Sequence, residues 1–279
     1  MSGPLILKLG GELLETAEQR ARIAAAAASL ASQRPLAIVH GGGRAIDAEL
    51  DRRGIAPKKI DGLRITDPAT LDVVVAVLGG SANTELVAAL VEGGVAAVGL
   101  TGVDAGLGRA NRVAAHRSTT GAIVDLGLVG DAAAVDASLI ELLLVHGYVP
   151  VVASLGLDAR PATGAQNILN VNADVMACRL AAALEASDLV IAGGTPGVLD
   201  EQGEPIPTLD AAGIDSVIAR GTATAGMVAK LSACRNALLE GVSSVRIVDG
   251  RQLDATRGVE DALGTTLILS LDAVRRQSA

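Results

Sequence analysis

Lys8 interrupts an apolar run just before two glycines, in the segment Leu5-Ile6-Leu7-Lys8-Leu9-Gly10-Gly11-Glu12. Such a run predicts a buried strand, and an ammonium buried within it is costly unless an anion meets it. Glycines at the strand exit remove side chains where a ligand or another backbone approaches closely. A second exit of this kind follows at Leu36-Ala37-Ile38-Val39-His40-Gly41-Gly42-Gly43, ahead of a predicted helix whose first amides could bind an anion. Two such turns, one carrying a lysine, predict a site for an anionic substrate at one edge of a sheet. A triple glycine is also compatible with a mere tight turn. Its spacing matches neither the dinucleotide-binding fingerprint nor a P-loop.

Two further segments concentrate polar chemistry. Asn167-Ile168-Leu169-Asn170-Val171-Asn172-Ala173-Asp174 places three asparagines and an aspartate before an apolar helical stretch. Asn172 suits an N-cap, and an acid in the first turn complements the helix dipole, but capping does not account for Asn170. Gly226-Met227-Val228-Ala229-Lys230 opens a helix predicted to run to Leu239. A helical lysine is ordinarily a solvated charge; partnership with Lys8 would give Lys230 a different meaning.

Helical and strand patterns alternate around these residues. Helices are predicted over Thr16–Ser32, Arg44–Arg53, Pro68–Leu78, Ala82–Glu92, Asp136–His146 and Ala173–Glu185. Strands are predicted over Leu36–Val39, Ala96–Leu100, Val149–Ala153 and Asp188–Ala192. Continuous Val/Ile/Ala runs suit parallel strands covered on both faces, so the fold class is α/β with right-handed crossovers. The Gly- and Arg-rich stretch Val103–Asp131 reads as a small antiparallel excursion, with a hairpin turn at Thr119-Thr120-Gly121. The fresh strand at Asp188 marks the expected boundary between a lobe of residues 1–187 and one of residues 188–279.

Composition bounds the alternatives. Half of the 279 residues are hydrophobic, with one Tyr and no Phe or Trp, so the core is built from Ala, Val, Leu and Ile. A net charge of −8 argues against binding nucleic acid or a membrane surface, which needs clustered Lys and Arg. Cys178 and Cys234 are the only cysteines, lack metal-ligand spacing, and read as reduced and buried. Pro4 leads straight into the first strand with no signal peptide, and the Ala-rich stretch Ile23–Ala31 is too short for a membrane span. A cytosolic setting is expected.

The ordered set KLGG, HGGG, Asp61-Gly62-Leu63-Arg64-Ile65-Thr66, LNVNAD and GMVAK resembles the N-acetylglutamate kinases of the amino acid kinase family. Gly127-Leu128-Val129-Gly130-Asp131 and Gly147-Tyr148-Val149-Pro150-Val151-Val152 fit the same pattern, which runs from Leu5 to about Leu267. The resemblance implies an open three-layer αβα sandwich with a mainly parallel central sheet. Its N-terminal lobe would hold N-acetyl-L-glutamate and its C-terminal lobe ATP with Mg2+, a metal to which the family gives few direct protein ligands, so no residue is assigned to it. The reaction implied is phosphorylation of the substrate's side-chain carboxylate in arginine biosynthesis. Lys8 would meet the transferred phosphoryl group and Lys230 the nucleotide side, with Asp174 orienting both. Gly10, Gly11 and Gly43 amides would contact phosphoryl oxygens, and Gly194, Gly226 and Met227 would belong to the nucleotide site. Gly41 and Gly42 would frame the amino-acid pocket, Arg64 would clamp the α-carboxylate, and Asn170 would bind the amino-acid end. Two positions depart from the family pattern beside the expected nucleotide site: Gly194 stands where an LxDVxG motif has aspartate, and Ala225 where TDGM has one. The resemblance also implies a homodimer insensitive to arginine, because the extra N-terminal helix of arginine-inhibited relatives is missing. The motifs leave open another acyl amino acid, N-acetyl-aminoadipate or N-succinylglutamate, and a non-catalytic sensor on the same fold.

Overall fold

The structure, a computed structural model, describes residues 3–113, 115–118, 121–160, 167–220, 225–256, 258–259 and 261–270. The chain opens with β1 (Leu5–Leu9), a short 3-10 turn at Gly11–Leu13, α1 (Ala17–Ala31), β2 (Leu36–His40) and α2 (Gly43–Arg52). A small hairpin, β3 (Lys59–Ile60) and β4 (Leu63–Arg64), precedes α3 (Pro68–Val75), α4 (Asn83–Glu92) and β5 (Ala97–Thr101). Next come β6 (Gly108–Arg112), β7 (His116–Arg117), β8 (Ile123–Val124), β9 (Val129–Val135) and α5 (Ser138–Val145). They lead to β10 (Val149–Ala153), β11 (Leu155–Asp158), β12 (Ile168–Val171) and α6 (Ala173–Ala183). The remaining elements are β13 (Asp188–Gly193), β14 (Thr208–Asp210), α7 (Ala211–Arg220), α8 (Ala225–Leu239), β15 (Ser244–Asp249) and β16 (Gly264–Ile268).

Eight strands form one sheet in the order β14-β16-β15-β13-β1-β2-β10-β5. Every neighbouring pair is parallel except β15 with β16. The mainly parallel α/β sheet expected from the apolar runs is therefore present. β1 lies between β13 and β2, which places the first strand in the middle and makes the sheet continuous across residue 187. The chain leaves this centre toward both edges. In parallel sheets a ligand crevice forms at such a switch point, outside the carboxyl ends of the strands. Lys8 and Leu9, His40, and Gly193 all lie at that edge.

Alternation along β1 aims Lys8. Leu5, Leu7 and Leu9 pack into the apolar layer that contains Ile23, Ala27 and Leu30 of α1. Ile6 packs on the opposite layer with Ala177 and Leu180 of α6 and Leu231 of α8. Successive strand residues face opposite sides, so Lys8 shares the face of Ile6 and points toward α6 and α8.

Local signals set several element ends. Thr16 and Gln19 form a reciprocal capping box on α1, and Asp67 caps α3 with Pro68 in the first turn. Gly79 and Gly80, however, do not separate two helices as the sequence suggested. A π-helical segment, Ala76–Ala82, joins α3 to α4 into one 25-residue helix, Pro68–Glu92. The glycine gives close packing: a Cβ on Gly79 would lie 3.3 Å from Thr101 Cγ2 and 3.5 Å from Leu155 Cδ1. Among the described residues this is the one helix long and apolar enough to cross a membrane. Leu71, Val74, Leu86 and Leu90 are nonetheless fully buried in the core of the fold, the place of a core helix.

The middle excursion is larger than expected. β6 and β9 pair antiparallel, but β11 and β12 join them to close a small barrel, so the unit extends well beyond Asp131. β7 and β8 form the expected hairpin, with Gly121 in the left-handed region at φ 85°. Thr119 and Thr120 of that turn lie outside the described residues.

The two glycine turns meet backbone to backbone. A Cβ on Gly11 would lie 2.8 Å from Gly42 Cα and 3.1 Å from Gly43 N. Backbone cannot swing aside like the end of a side chain, so a methyl group there forces the turns apart. Gly11→Ala is expected to lower the unfolding free energy by about 1–3 kcal/mol, measured by urea denaturation. An unchanged midpoint would contradict the close approach.

Candidate active site

Three predicted charged residues converge. Lys8 Nζ lies 2.7 Å from Asp174 Oδ1, and Lys230 Nζ lies 2.7 Å from Asp174 Oδ2. The carboxylate therefore bridges two ammonium groups, one oxygen to each. Their side chains are only 9%, 13% and 16% exposed for Lys8, Asp174 and Lys230. Burial by itself raises the Asp174 pKa, but the charges of Lys8 and Lys230 outweigh it and hold the carboxyl well below the usual range. Burial likewise lowers the Lys230 pKa, and the attraction of Asp174 overrides it, leaving that pKa raised. Asp174 and Lys230 thus both stay charged across ordinary pH.

Three elements place these groups. Lys8 comes from the carboxyl end of β1. Asp174 sits in the first turn of α6, where Asn172 Oδ1 accepts from the amides of Asp174 at 2.8 Å and Val175 at 3.3 Å. The capping role read for Asn172 is present, and it fixes the turn that carries the acid. Lys230 lies one turn into α8. Four residues further along each helix, buried Cys178 and Cys234 pack together beneath the triad. Their mutual contact and burial push the Cys178 thiol pKa up, so it is an uncharged neighbour.

A cavity of about 430 Å³ adjoins the triad. Gly41, Gly42, Gly43, Arg64 and Asn170 all line it. So do Ala173 and Ala229, the residues preceding Asp174 and Lys230. Arg64 is buried, with Nη1 2.6 Å from Asp47 Oδ1 and Nη2 donating to the Gly43 carbonyl at 3.0 Å. These contacts hold the guanidinium in one plane, and its five donors exceed the two used here. Asn170 donates through Nδ2 to Thr66 Oγ1 at 3.1 Å, which ties β12 to the β4 side of the cavity. Asp47, which also pairs with Lys59 at 2.5 Å, was not singled out in the sequence. Its signal was only its place one helical turn after Gly43.

The glycines divide by what their backbones do. Gly10 departs from the expected phosphate-contacting amide: its N–H donates to the Ala192 carbonyl at 2.9 Å, continuing the β1–β13 ladder. Gly41 N–H donates to the Leu9 carbonyl at 3.2 Å, which fits a residue that frames the cavity. Gly43 begins α2 and faces open space. Gly226 is near the start of α8, and Gly62 of the β3–β4 turn reaches it, a Cβ there lying 3.7 Å from Gly226 Cα. Met227 is partly buried against the core. Gly194 follows β13 on the other side of Lys8 from the cavity, where its N–H donates to Glu12 Oε1 at 2.9 Å. Glu12 was quoted in the opening motif but given no role. Thr224 lies outside the described residues.

His40 is structural. It is fully buried, with Nδ1 3.1 Å from the Gly41 carbonyl and Nε2 3.0 Å from Asn83 Nδ2. Asn83 Nδ2 also donates to the Val151 carbonyl at 3.0 Å. Burial lowers the His40 pKa to about 4, so the ring is neutral and donates from Nδ1.

Comparison with known proteins agrees with this geometry. Residues 4–249 match the amino acid kinase family. An acetylglutamate kinase from Symbiobacterium thermophilum is 41% identical over 252 residues, covering 88% of this chain and 84% of that protein. One from Koribacter versatilis is 39% identical over 271 residues, covering 96% and 99%. Among solved structures, N-acetylglutamate synthase from Neisseria gonorrhoeae, bound to coenzyme A and N-acetyl-glutamate, aligns with a TM-score of 0.78 at 22% identity. That alignment covers 96% of this chain and 60% of the other, and shows likeness of fold.

Two stability predictions follow from the buried charges. Asp174→Asn leaves two buried ammonium groups without their anion and is expected to cost about 3–5 kcal/mol, whereas Lys8→Ala leaves Asp174 paired with Lys230 and should change stability by no more than about 1 kcal/mol. Guanidinium denaturation of both variants checks the asymmetry; equal losses would contradict it. For His40 the folded pKa lies below the unfolded value, so the unfolded chain binds the proton first as pH falls. Stability should decline from about pH 6.5 toward pH 4, by up to about 3 kcal/mol. His40→Gln should remove that part of the slope in melts across this range.

Proposed function

Because the chain belongs to the amino acid kinase family, we propose that it transfers the γ-phosphoryl group of ATP to the side-chain carboxylate of N-acetyl-L-glutamate. The product is an acyl phosphate, and the step is the second of arginine biosynthesis by the acetylated route. The Lys8–Asp174–Lys230 triad beside an Arg64- and Asn170-lined cavity carries this reading. Names of the relatives favour acetylglutamate over the other acyl amino acids and over a sensor.

Phosphoryl transfer between two anions needs positioning and positive charge more than covalent help. Lys8, nearest the cavity side of the sheet centre, would neutralise charge on the transferring group, and Lys230 on the nucleotide side. Asp174 would hold both ammonium groups at fixed positions so that neither has to reorganise during the reaction. Arg64 would take the substrate α-carboxylate with donors not engaged by Asp47 and Gly43, and Asn170 its acyl-amino end. Gly41 and Gly42 would frame that pocket, with amides of Gly11 and Gly43 facing the phosphoryl oxygens. Residues 1–187 would form the amino-acid lobe, and residues 188–279, through Gly194, Gly226 and Met227, the nucleotide lobe. Mg2+ would arrive with ATP, bound chiefly by its phosphates and water. Two free, buried cysteines suit a reducing cytosol. Exposed Leu142 and Val145 of α5, with Tyr148 beyond it, support assembly as a homodimer.

Coupled ADP release with N-acetyl-L-glutamate, ATP and Mg2+ tests the reading. Substrate-dependent release is expected, faster than with N-acetyl-aminoadipate or N-succinylglutamate, and Lys8→Ala should reduce turnover by about 100-fold or more. Folded protein that releases no ADP on adding the acid would overturn it.

A further inference from the structure

Glu12 stands where the backbones of Gly10, Gly193 and Gly194 leave room for its carboxylate. It lies in the 3-10 turn after β1. Oε1 accepts from Gly194 N–H at 2.9 Å, linking the turn to the end of β13. A Cβ on Gly193 would lie 3.3 Å from Glu12 Oε1, and one on Gly194 would lie 3.5 Å from Glu12 Cγ and 3.7 Å from Oε1. A side chain on residue 194 would therefore share the space this carboxylate occupies. The Glu12 charge also reaches Lys230 across the same crevice.

This placement creates an electrostatic problem for any phosphate bound at the carboxyl ends of β1 and β13. Both catalytic lysines already face Asp174, so the four groups Lys8, Lys230, Asp174 and Glu12 carry no net charge among them. A polyphosphate entering beside Glu12 meets a like charge at short range in a partly dehydrated crevice. A divalent cation between the two anions removes that opposition. Magnesium is commonly held in this way, by one or two carboxylates together with substrate phosphates and water, without a full protein cage. The Gly194 amide fixes the carboxylate through one oxygen and leaves its second oxygen chemically competent as a ligand.

We propose that Glu12 is the protein group that holds the nucleotide-bound divalent cation, directly or through one of its waters, from the β1 side of the crevice. The inference rests on the reading of the β13 edge as the nucleotide side. It assigns residue 12 the work that a carboxylate on residue 194 could do from the opposite wall.

Calorimetric titration with ADP, with and without Mg2+, tests it apart from turnover. Wild-type protein should bind ADP more tightly when Mg2+ is present. In Glu12→Gln that enhancement should shrink by about tenfold, a coupling typical of groups in contact, while metal-free ADP binds as well as before or better. Adding Gly194→Asp to Glu12→Gln should restore the enhancement, because the new carboxylate enters the same space. That rescue also separates loss of the cation site from damage to the fold. Full enhancement retained in folded Glu12→Gln, or no enhancement in the wild type, would overturn the role of Glu12 alone. Failure of the wild type to bind ADP under either condition would overturn the nucleotide-side reading as well.

Discussion

One carboxylate shared by two lysines is the interaction on which the site depends. Lys8 and Lys230 come from a central strand and from a helix more than two hundred residues later in the chain. Without Asp174 between them, two ammonium groups in so enclosed a space would repel each other and lose their water. With it, each cation has a fixed counter-ion, and the three groups alone keep one net positive charge, which Glu12 across the crevice offsets. The packing then follows: α6 and α8 must cover the face of β1 that carries Ile6 and Lys8, and both do. Beneath them lie the buried cysteines Cys178 and Cys234, packed against each other.

The glycine turns solve a different problem, that of bringing two strand ends close enough to share a ligand. β1 and β2 are neighbours in the sheet, and any side chain at Gly11 would wedge their exits apart. Gly42 in turn packs against Leu78, within the π-helical segment of the long helix. A π turn widens a helix locally and commonly marks a functional position. Here it puts Leu78 in the wall of the cavity while the flanking turns stay buried in the core. The distortion that sequence punctuation mistakes for a helix break is thus part of the cavity wall.

Much of this was legible in the sequence because it depends on local chemistry. Apolar runs gave the parallel strands, helical patterns gave helices starting at Thr16 and Pro68, and the Asn172–Asp174 spacing gave a capped turn with an acid in it. Lys8 was conspicuous because a lysine inside a buried run needs an anion. The small barrel was only half visible: it is mixed rather than antiparallel, since β11 and β12, four residues each, pair parallel with β6 and β9. Arg64 was legible as a cation near the site, but its anchoring by Asp47 and Gly43 was not, because those contacts are tertiary. Gly10 misled for a related reason. The family resemblance gave its N–H to a phosphoryl oxygen, whereas the sheet claims that N–H for Ala192.

Glu12 shows where motif reading and physics part. A motif assigns a residue type to a position along the chain, so Gly194 in place of an aspartate registers as a loss. Electrostatics depends on where a charge is in space, whichever segment brings it there. The end of β1 and the end of β13 are adjacent strands in register, Leu9 beside Ala192. A carboxylate can therefore enter the crevice between them from either wall. From the β13 wall it would need a short side chain on residue 194. From the β1 turn it needs a longer one, a turn that lets it lean back, and glycines opposite that leave space. Glu12, the 3-10 turn and Gly193–Gly194 meet these three conditions together. Gly194 then reads as the complement of Glu12, since a bulkier residue there would compete for the room its carboxylate fills.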